Sequence, residues 1–526
     1  MRNFFTKTLS VTHLPTWFLI IGYPVYWLEL YFLQPSTGYT TSLAWILFLL
    51  VVILIFLKER KNISAEFQQW QLWYGEQPVL TKSAVSIILA LSAIILFVTC
   101  YASFLPPHLP QEYDALSYHI TIPRQHLLRN SFQHLPWSTA DFYLLPLDHG
   151  LAPFWLSTSY LNKIPQYFFC LGILFLVCRL VSRLTDHSWK SMVFVWAAVL
   201  GLHGLSIQFG TAMLDVVMLY FLLAALDSWL SGFYVLAGLE LSFYVWSKSF
   251  LPIQILAIAL CVMAVLWLFK QSMAWKKQKT FLLSFLIFSA VVAGPFLIRN
   301  FYYTGTPLFP FGVGKFHEGV YQSTNPVLWS SIVQRASDIL TIKDQYGHGR
   351  SVKAFFEHFW MLAVPEKGVN NRFDYPLGLS YLLVLGPFMF KFFEDIKLKR
   401  FNGLSWFSLI FWASWWFGSQ QSRFLFVPLV LMMIVVFSDQ RFLRPIMLGG
   451  LLFSLALTAL SVVRANKADF FKPPMLVLRF ADKTLLEMAK TVDRSKPTNV
   501  FIEDAAFADF PINVIVDNSD FVLKQK

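Results

Sequence analysis

The chain has 526 residues, of which 56% are hydrophobic and only 14% are charged. Soluble domains carry about 25% charged residues, so this balance excludes an ordinary soluble protein and indicates a polytopic membrane protein. The formal net charge is +12, but Lys and Arg fall largely in short gaps between apolar runs. That placement is the positive-inside pattern and argues against a nucleic-acid partner.

Apolar runs predict the membrane spans, because a spanning helix needs roughly 20 apolar residues. The first run has no small-x-small cleavage site, so we interpret it as a retained anchor rather than a signal peptide. Thirteen candidates occur, at about 15–34, 42–57, 83–104, 165–183, 190–206, 211–229, 231–247, 250–269, 280–298, 377–393, 404–418, 423–438 and 445–463.

The charges between the spans fit one orientation, with the N-terminus in the cytoplasm and the C-terminus outside. The short outer gaps at 35–41, 207–210 and 419–422 contain no Lys or Arg. The inner gaps hold the basic clusters, as the positive-inside rule requires. These inner gaps are 58–82, 184–189, 270–279, 394–403 and 439–444.

Three longer regions then lie on the outer side, at 105–164, 299–376 and 464–526. In the second region, VLWSSIVQRASDIL and SVKAFFEHFWMLAV have apolar residues at helical spacing. Such helices pack on a protein surface or lie in the membrane interface, and the pattern does not separate the two. In the third region, NVFIEDAAF and PINVIVDN predict short buried strands and therefore a small α/β appendage.

The segment QEYDALSYHITIPRQHLLRN, residues 111–130, carries the first candidate site residues directly beyond a predicted span. Glu112 and Asp114 are two residues apart, which points both carboxylates the same way in an extended or turn segment. Such a pair can hold a divalent cation, or one carboxylate can act as a base. Tyr118 and His119 follow and are candidates for substrate binding. The alternative is a solvated acidic pair.

Four further charges lie near the outer ends of spans, where the topology does not require them. Asp215 is a single acid in an apolar span, and burying a lone carboxylate is costly. Lys248, Arg299 and Arg423 are cations on the outer side, against the positive-inside bias. Each alone could extend to lipid headgroups. Together they suit an anionic group such as a phosphate.

The sequence lacks the common motifs of ATP-driven pumps and of serine and zinc hydrolases. The sequence contains no Walker loop, no G-x-S-x-G and no H-E-x-x-H. Energy for a transfer reaction would therefore come from the substrate. A polyprenyl-phosphate sugar meets that demand, because its leaving group is a phosphate already in the membrane.

At these residues the chain resembles the GT-C superfamily of polytopic glycosyltransferases, in particular the bacterial branch related to protein O-mannosyltransferases and the aminoarabinose transferase. Similar segments are EYDALSYHITIPRQHLLRNSFQHLPW, TAMLDVVMLYFLLAALDSWLSGFYVLAGLELSFYVWSKSF, RNFYYTGTPLFPF and SRFLFVPLVLMM. One departure is that the family's acidic loop usually follows the first span, whereas here it follows the third. The tail is also shorter than the periplasmic domains of many relatives.

The resemblance implies three regions. Residues 1–82 are a two-span addition, 83–463 are a GT-C-like catalytic module with outer loops 105–164 and 299–376, and 464–526 are a periplasmic tail. It also implies a multi-pass protein of the bacterial inner membrane whose active face is periplasmic.

The implied activity moves a sugar from a polyprenyl-phosphate donor to a lipid, glycan or protein acceptor, with inversion. Asp114 corresponds to the catalytic base and Glu112 to its partner, while Lys248, Arg299 and Arg423 would hold the lipid phosphate. Asp215 would position the sugar or the acidic loop, and Mg, Mn or Ca held by Glu112 and Asp114 would assist departure. A pyrophosphate-dependent glycan polymerase or ligase and a flippase for a lipid-linked sugar are the alternatives.

Overall fold

The structure is a computed structural model. It describes residues 10–32, 39–105, 112, 114–135, 138–155, 163–268, 275–315, 317–341, 346–363, 373–466, 498–500 and 514–516. The helices are α1 (Thr16–Phe32), α2 (Tyr39–Glu76), α3 (Val79–Ser103), α4 (Thr121–Leu128), α5 (Pro146–Trp155), α6 (Ile164–Leu184), α7 (Trp189–Leu200), α8 (His203–Gln208), α9 (Asp215–Leu230), α10 (Tyr234–Val245), α11 (Leu251–Leu268), α12 (Trp275–Thr304), α13 (Val320–Thr324), α14 (Pro326–Thr341), α15 (Val352–Ala363), α16 (Leu379–Lys397), α17 (Gly403–Phe417), α18 (Phe426–Phe437) and α19 (Pro445–Asn466).

This is the fold of an all-α membrane protein. Each of the thirteen predicted spans overlaps a helix of the structure. Thirteen crossings stay a prediction, because many of these helices are shorter than a bilayer requires. Five helical segments are long and apolar enough to cross a membrane: Ser42–Glu76, Val79–Ser103, Ile164–Leu184, Gln278–Thr304 and Pro445–Asn466.

The core forms around two helices that are apolar on all sides. Every residue of α18 is buried, and so is nearly every residue of α9. A helix without a polar face is stable only when other helices surround it. By contrast, α2, α11 and α12 expose rows of large apolar side chains, such as Leu54, Leu256 and Leu286. These exposed faces suit contact with lipid tails.

A close helix crossing fixes the position of α5 in the first outer region. At this crossing Gly22 of α1 lies against the backbone carbonyl of Gly150 in α5. A side chain at Gly22 would overlap that oxygen, so the two helices approach this closely only because Gly22 lacks a Cβ atom. The crossing holds α5 and its Asp148 deep in the protein, where Asp148 is fully buried.

Polar side chains collect at the two opposite ends of the bundle. One group contains His13, whose ring nitrogens lie 3.2 Å from Asp227 Oδ2 and 2.8 Å from Glu240 Oε1. Arg179 and Arg183 also pair with Asp227, at 3.2 and 3.3 Å. This group joins the segment before α1 to α6, α9 and α10 on the predicted inner side. The other group is the candidate site.

The predicted outer segments are helical where the structure describes them. VLWSSIVQRASDIL lies in α14, and VKAFFEHFWMLA of the second segment forms α15. On α15, Phe356 and Trp360 are exposed while His358 and Leu362 are buried. Of the tail, two strands are described, β1 (Thr498–Val500) and β2 (Val514–Val516), which pair in parallel. The remainder of the predicted α/β appendage lies outside the described residues.

Candidate functional site

The centre of the candidate site is the Asp114–Arg423 ion pair. Arg423 Nη1 donates to Asp114 Oδ2 at 2.9 Å. Asp114 begins a π-helical turn, Ala115–His119, and Arg423 lies in the 3₁₀ turn Ser422–Leu425 that leads into α18. The 3₁₀ turn leads into a fully buried apolar helix, so Arg423 is held at one end of the bundle, where it meets Asp114.

Asp215 and Lys248 join this pair. Lys248 Nζ donates to Asp215 Oδ1 at 2.6 Å, and Arg423 Nη1 lies 3.9 Å from Asp215 Oδ2. Asp215 is the first residue of α9, where the positive end of the helix dipole stabilises a carboxylate. Lys248 follows α10, and its ammonium lies 4.6 Å from the centre of the Phe424 ring. Four residues predicted separately thus form one cluster.

Asp374 is a fifth member that the sequence analysis missed. Its Oδ2 lies 3.3 Å from Arg423 Nε. The chain around it is fixed by Ser422, because Ser422 N donates to Phe373 O at 2.8 Å and Tyr375 N donates to Ser422 Oγ at 3.1 Å. Asp374 itself has a left-handed backbone, with φ 69°. A strained non-glycine residue held in this way is frequently found at a functional site.

The carboxylates of the cluster differ in their affinity for protons. Burial raises the pKa of Asp114, but the charge and hydrogen bond of Arg423, together with the charge of Lys248, favour the ionised form and hold that pKa below its usual range. For Asp374, burial and the neighbouring Asp215 and Asp114 outweigh the attraction of Arg423 and raise the pKa to about 6. Asp114 is therefore ionised at neutral pH, whereas Asp374 changes charge just below it.

We expect D374N to gain more stability over the wild type at pH 7.5 than at pH 4.5. The folded protein holds the Asp374 proton more tightly than the unfolded chain, so stability is lost as pH rises from about 4 to about 6. Asn cannot ionise and escapes this loss, which amounts to roughly 1–3 kcal/mol. Thermal unfolding in detergent at both pH values measures the difference in stability between D374N and the wild type. The exposed-carboxylate variant D338N is the control, and an equal shift at both pH values would contradict the expectation.

Glu112 binds a different cation from Asp114. Its Oε2 accepts from Lys163 Nζ at 3.2 Å, and its Oε1 accepts from the backbone N–H of Ala212 at 2.7 Å. Glu112 and Lys163 are both almost completely buried. Since Ala212 lies just before α9, Glu112 connects the Asp114 segment to the segment that carries Asp215. In this arrangement Glu112 anchors its own segment to Lys163 and Ala212. The prediction was instead that the Glu112 and Asp114 carboxylates would point the same way and act together.

The donor set does not fit the predicted divalent cation. Arg423 already lies among the carboxylates of Asp114, Asp215 and Asp374, and Glu112 is bound to Lys163. Within the described ranges, no three His, Cys, Asp or Glu side chains are arranged to hold a metal ion. The guanidinium of Arg423 occupies the space between these carboxylates.

Arg299 lies in a second, buried cluster and not beside Arg423. Its Nη1 donates to Asp141 Oδ1 at 2.9 Å, and its Nη2 donates to the Asp141 backbone carbonyl. The guanidinium also lies 4.4 Å from the centre of the Phe132 ring. A buried guanidinium with these contacts holds the first outer region against α12. Its geometry differs from the predicted contact with a lipid phosphate.

Tyr118 and His119 lie beside Asp114 on the π turn. Their rings are 4.3 Å apart, and the Tyr118 ring also contacts that of Tyr143 at 5.4 Å. His119 is nearly buried, and its Nδ1 lies 2.6 Å from Asp148 Oδ1. Asp148 was not among the predicted site residues, because its partner His119 is 29 residues away in the chain.

Comparisons of the chain with protein-family models, with characterised proteins and with solved structures give no significant match.

Proposed function

We propose that the chain is an integral-membrane glycosyltransferase that uses a polyprenyl-phosphate sugar. The observation that carries this proposal is the convergence of Asp114, Asp215 and Asp374 with Lys248 and Arg423 at one end of an apolar helix bundle. Carboxylates accept hydrogen bonds from sugar hydroxyls, and paired cations stabilise a phosphate. A lipid-linked sugar presents both groups at the membrane surface.

In the proposed reaction the acceptor hydroxyl attacks the anomeric carbon as Asp114 removes its proton. A new C–O bond forms, the bond from the anomeric carbon to the phosphate oxygen breaks, and the electron pair leaves with the phosphate from the opposite face. The configuration is therefore inverted. Lys248 and Arg423 stabilise the charge that develops on the departing phosphate. Asp215 and Asp374 accept hydrogen bonds from the sugar.

The proposal includes the full topology. The thirteen spans would place the N-terminus in the cytoplasm of a bacterial cell, with the site and the C-terminal α/β tail in the periplasm. This topology requires two groups of residues to lie at opposite ends of the spans. All five members of the cluster lie at the helix ends predicted to be outside, and the His13–Asp227–Glu240 group lies at the predicted inner ends. The acceptor would approach from the periplasm.

Mass spectrometry of the lipids that co-purify with the wild type and with D114N tests the proposal. We expect a polyprenyl-phosphate monosaccharide, enriched in the variant because the donor binds but is not consumed. A polyprenyl-pyrophosphate oligosaccharide would instead indicate a polymerase or ligase. Absence of any polyprenyl lipid from both preparations would contradict the transferase and favour a transporter.

A further inference from the structure

A buried Asp–His pair lies one turn away from the proposed base. His119 Nδ1 is 2.6 Å from Asp148 Oδ1, and the two side chains are 5% and 0% exposed. If Asp148 is ionised it can only accept, so Nδ1 of a neutral His119 then carries the hydrogen and the lone pair lies on Nε2. Among the described residues, His119 Nε2 has no hydrogen-bond partner. One nitrogen is therefore oriented by Asp148, and the other is available to accept a proton.

The π turn brings His119 toward Asp114. The turn is closed by a hydrogen bond from Ile120 N to Ala115 O at 3.0 Å, which spans five residues. Asp114 and His119 are also separated by five residues, so they lie about one turn of a π-helix apart on the same side. A regular α-helix would rotate the two side chains farther apart.

The charged groups around His119 come from several elements. Asp148 projects from α5, Asp114 lies at the start of the π turn, and Asp215 begins α9. Lys248 interacts with Asp148. Of these groups, Asp148 is the carboxylate in direct contact with the His119 ring.

We propose that His119, oriented by Asp148, is the second proton acceptor of the site and takes from Asp114 the proton of the acceptor hydroxyl. The inference rests on the proposed transferase activity. In this relay the acceptor O–H bond breaks and Asp114 becomes neutral. Asp114 then gives the proton to His119 Nε2, which becomes an imidazolium paired with Asp148. The proton leaves to solvent with the products, and Asp114 is again a carboxylate.

A relay explains how Asp114 can act as a base while it is bound to Arg423. The ion pair makes Asp114 a weak base, because Arg423 favours its ionised form. A proton that arrives on Asp114 would break this pair and would tend to return to the attacking oxygen. Transfer to His119 restores the ion pair and makes proton removal complete. Asp148 keeps the imidazole in the correct tautomer, the task of the Asp in a Ser-His-Asp triad.

Two kinds of measurement test the relay. Sugar transfer from undecaprenyl-phosphate monosaccharides is followed for H119Q, D148N and H119G, with H187Q as the control. His187 contacts Ser182 at the predicted inner end of α6. We expect H119Q and D148N to lower kcat by roughly 10- to 100-fold with KM little changed, and H187Q to match the wild type. Added imidazole should restore part of the kcat of H119G.

The second measurement needs no substrate. Solid-state NMR of protein labelled with ¹⁵N-histidine identifies the protonated nitrogen, and the His119 signal is assigned by its loss in H119Q. We expect the Nδ1–H form in the wild type and a loss of that preference in D148N. Thermal unfolding of each variant shows whether it is folded.

The outcomes separate the two proposals. If the wild type transfers sugar while folded H119Q and D148N keep its kcat, the relay is wrong and the transferase stands. The Nε2–H form in the wild type would likewise overturn the relay. If imidazole fails to restore H119G although the glycine variant is folded, His119 is not a proton acceptor. If the wild type transfers no sugar, both proposals fail.

Discussion

Replacing Asp114 by Asn should lower the turnover of sugar transfer by about 100- to 10,000-fold, the usual contribution of a general base. Asn keeps the size of Asp and can still accept a hydrogen bond from Arg423, whose guanidinium lies 2.9 Å from Asp114. The variant should therefore fold and bind donor while failing at proton removal. Turnover and donor retention, measured on the same preparation, separate these two steps.

The matched control for D114N is D338N. Asp338 lies on the exposed face of α14 in the second outer region, where Gln334 donates to it at 2.8 Å. Its replacement removes one outer carboxylate without touching the cluster, so its turnover should equal that of the wild type. Near-normal turnover in folded D114N would remove Asp114 from the mechanism.

Replacing Arg423 by Gln should have the largest effect on stability. Arg423 is the cation that Asp114, Asp215 and Asp374 share. Breaking a buried ion pair by removing one partner costs about 3–5 kcal/mol, because the other charge is left uncompensated. R423K should recover only part of this loss, since a single ammonium cannot contact Asp114 and Asp374 through separate nitrogens as the guanidinium does. Unfolding in denaturant and transfer assays measure both effects.

A double variant shows whether the loss arises from the unpaired carboxylates. D374N/R423Q removes one carboxylate together with the cation, so it should be more stable than R423Q. Residues in contact are expected to show such coupling. R444Q is the control, because Arg444 is an exposed arginine at the opposite end of the bundle. If R423Q were as stable as R444Q, Arg423 would not hold the cluster together.

Much of the helical framework could be predicted from apolar runs, because a membrane span is long and uniformly apolar. The cations and acids of the cluster could also be predicted, because each is a charge at a position where the topology or the apolar run disfavours one. Lys248 and Arg423 lie on the side where the topology does not favour basic residues, and Asp215 interrupts an apolar run. Asp374 could have been predicted in the same way, because it is an acid a few residues before the outer end of the span at 377–393.

The partners of Glu112, Arg299 and His119 could not be predicted, because each is set by packing between distant segments. Arg299 is bound by Asp141, which is 158 residues away in the chain, and Glu112 by Lys163, which is 51 residues away. Spacing within one segment indicated that Glu112 would act with Asp114. The packing of α6 and α9 against this segment gives Glu112 its own partners instead. Local pattern thus predicts which charges are unusual but not which charges meet.

The span of 309 residues between Asp114 and Arg423 has a consequence for biogenesis. Ribosomes add about 5–20 residues per second, so the segment that carries Asp114 is made roughly 15–60 s before Arg423. During that interval the acids at 114 and 215 lack the guanidinium that later joins them. The site should therefore assemble only after α18 has been inserted. A chain truncated before Ser422 would hold most of the helices and the Lys248–Asp215 pair, but not the guanidinium that joins this pair to Asp114 and Asp374.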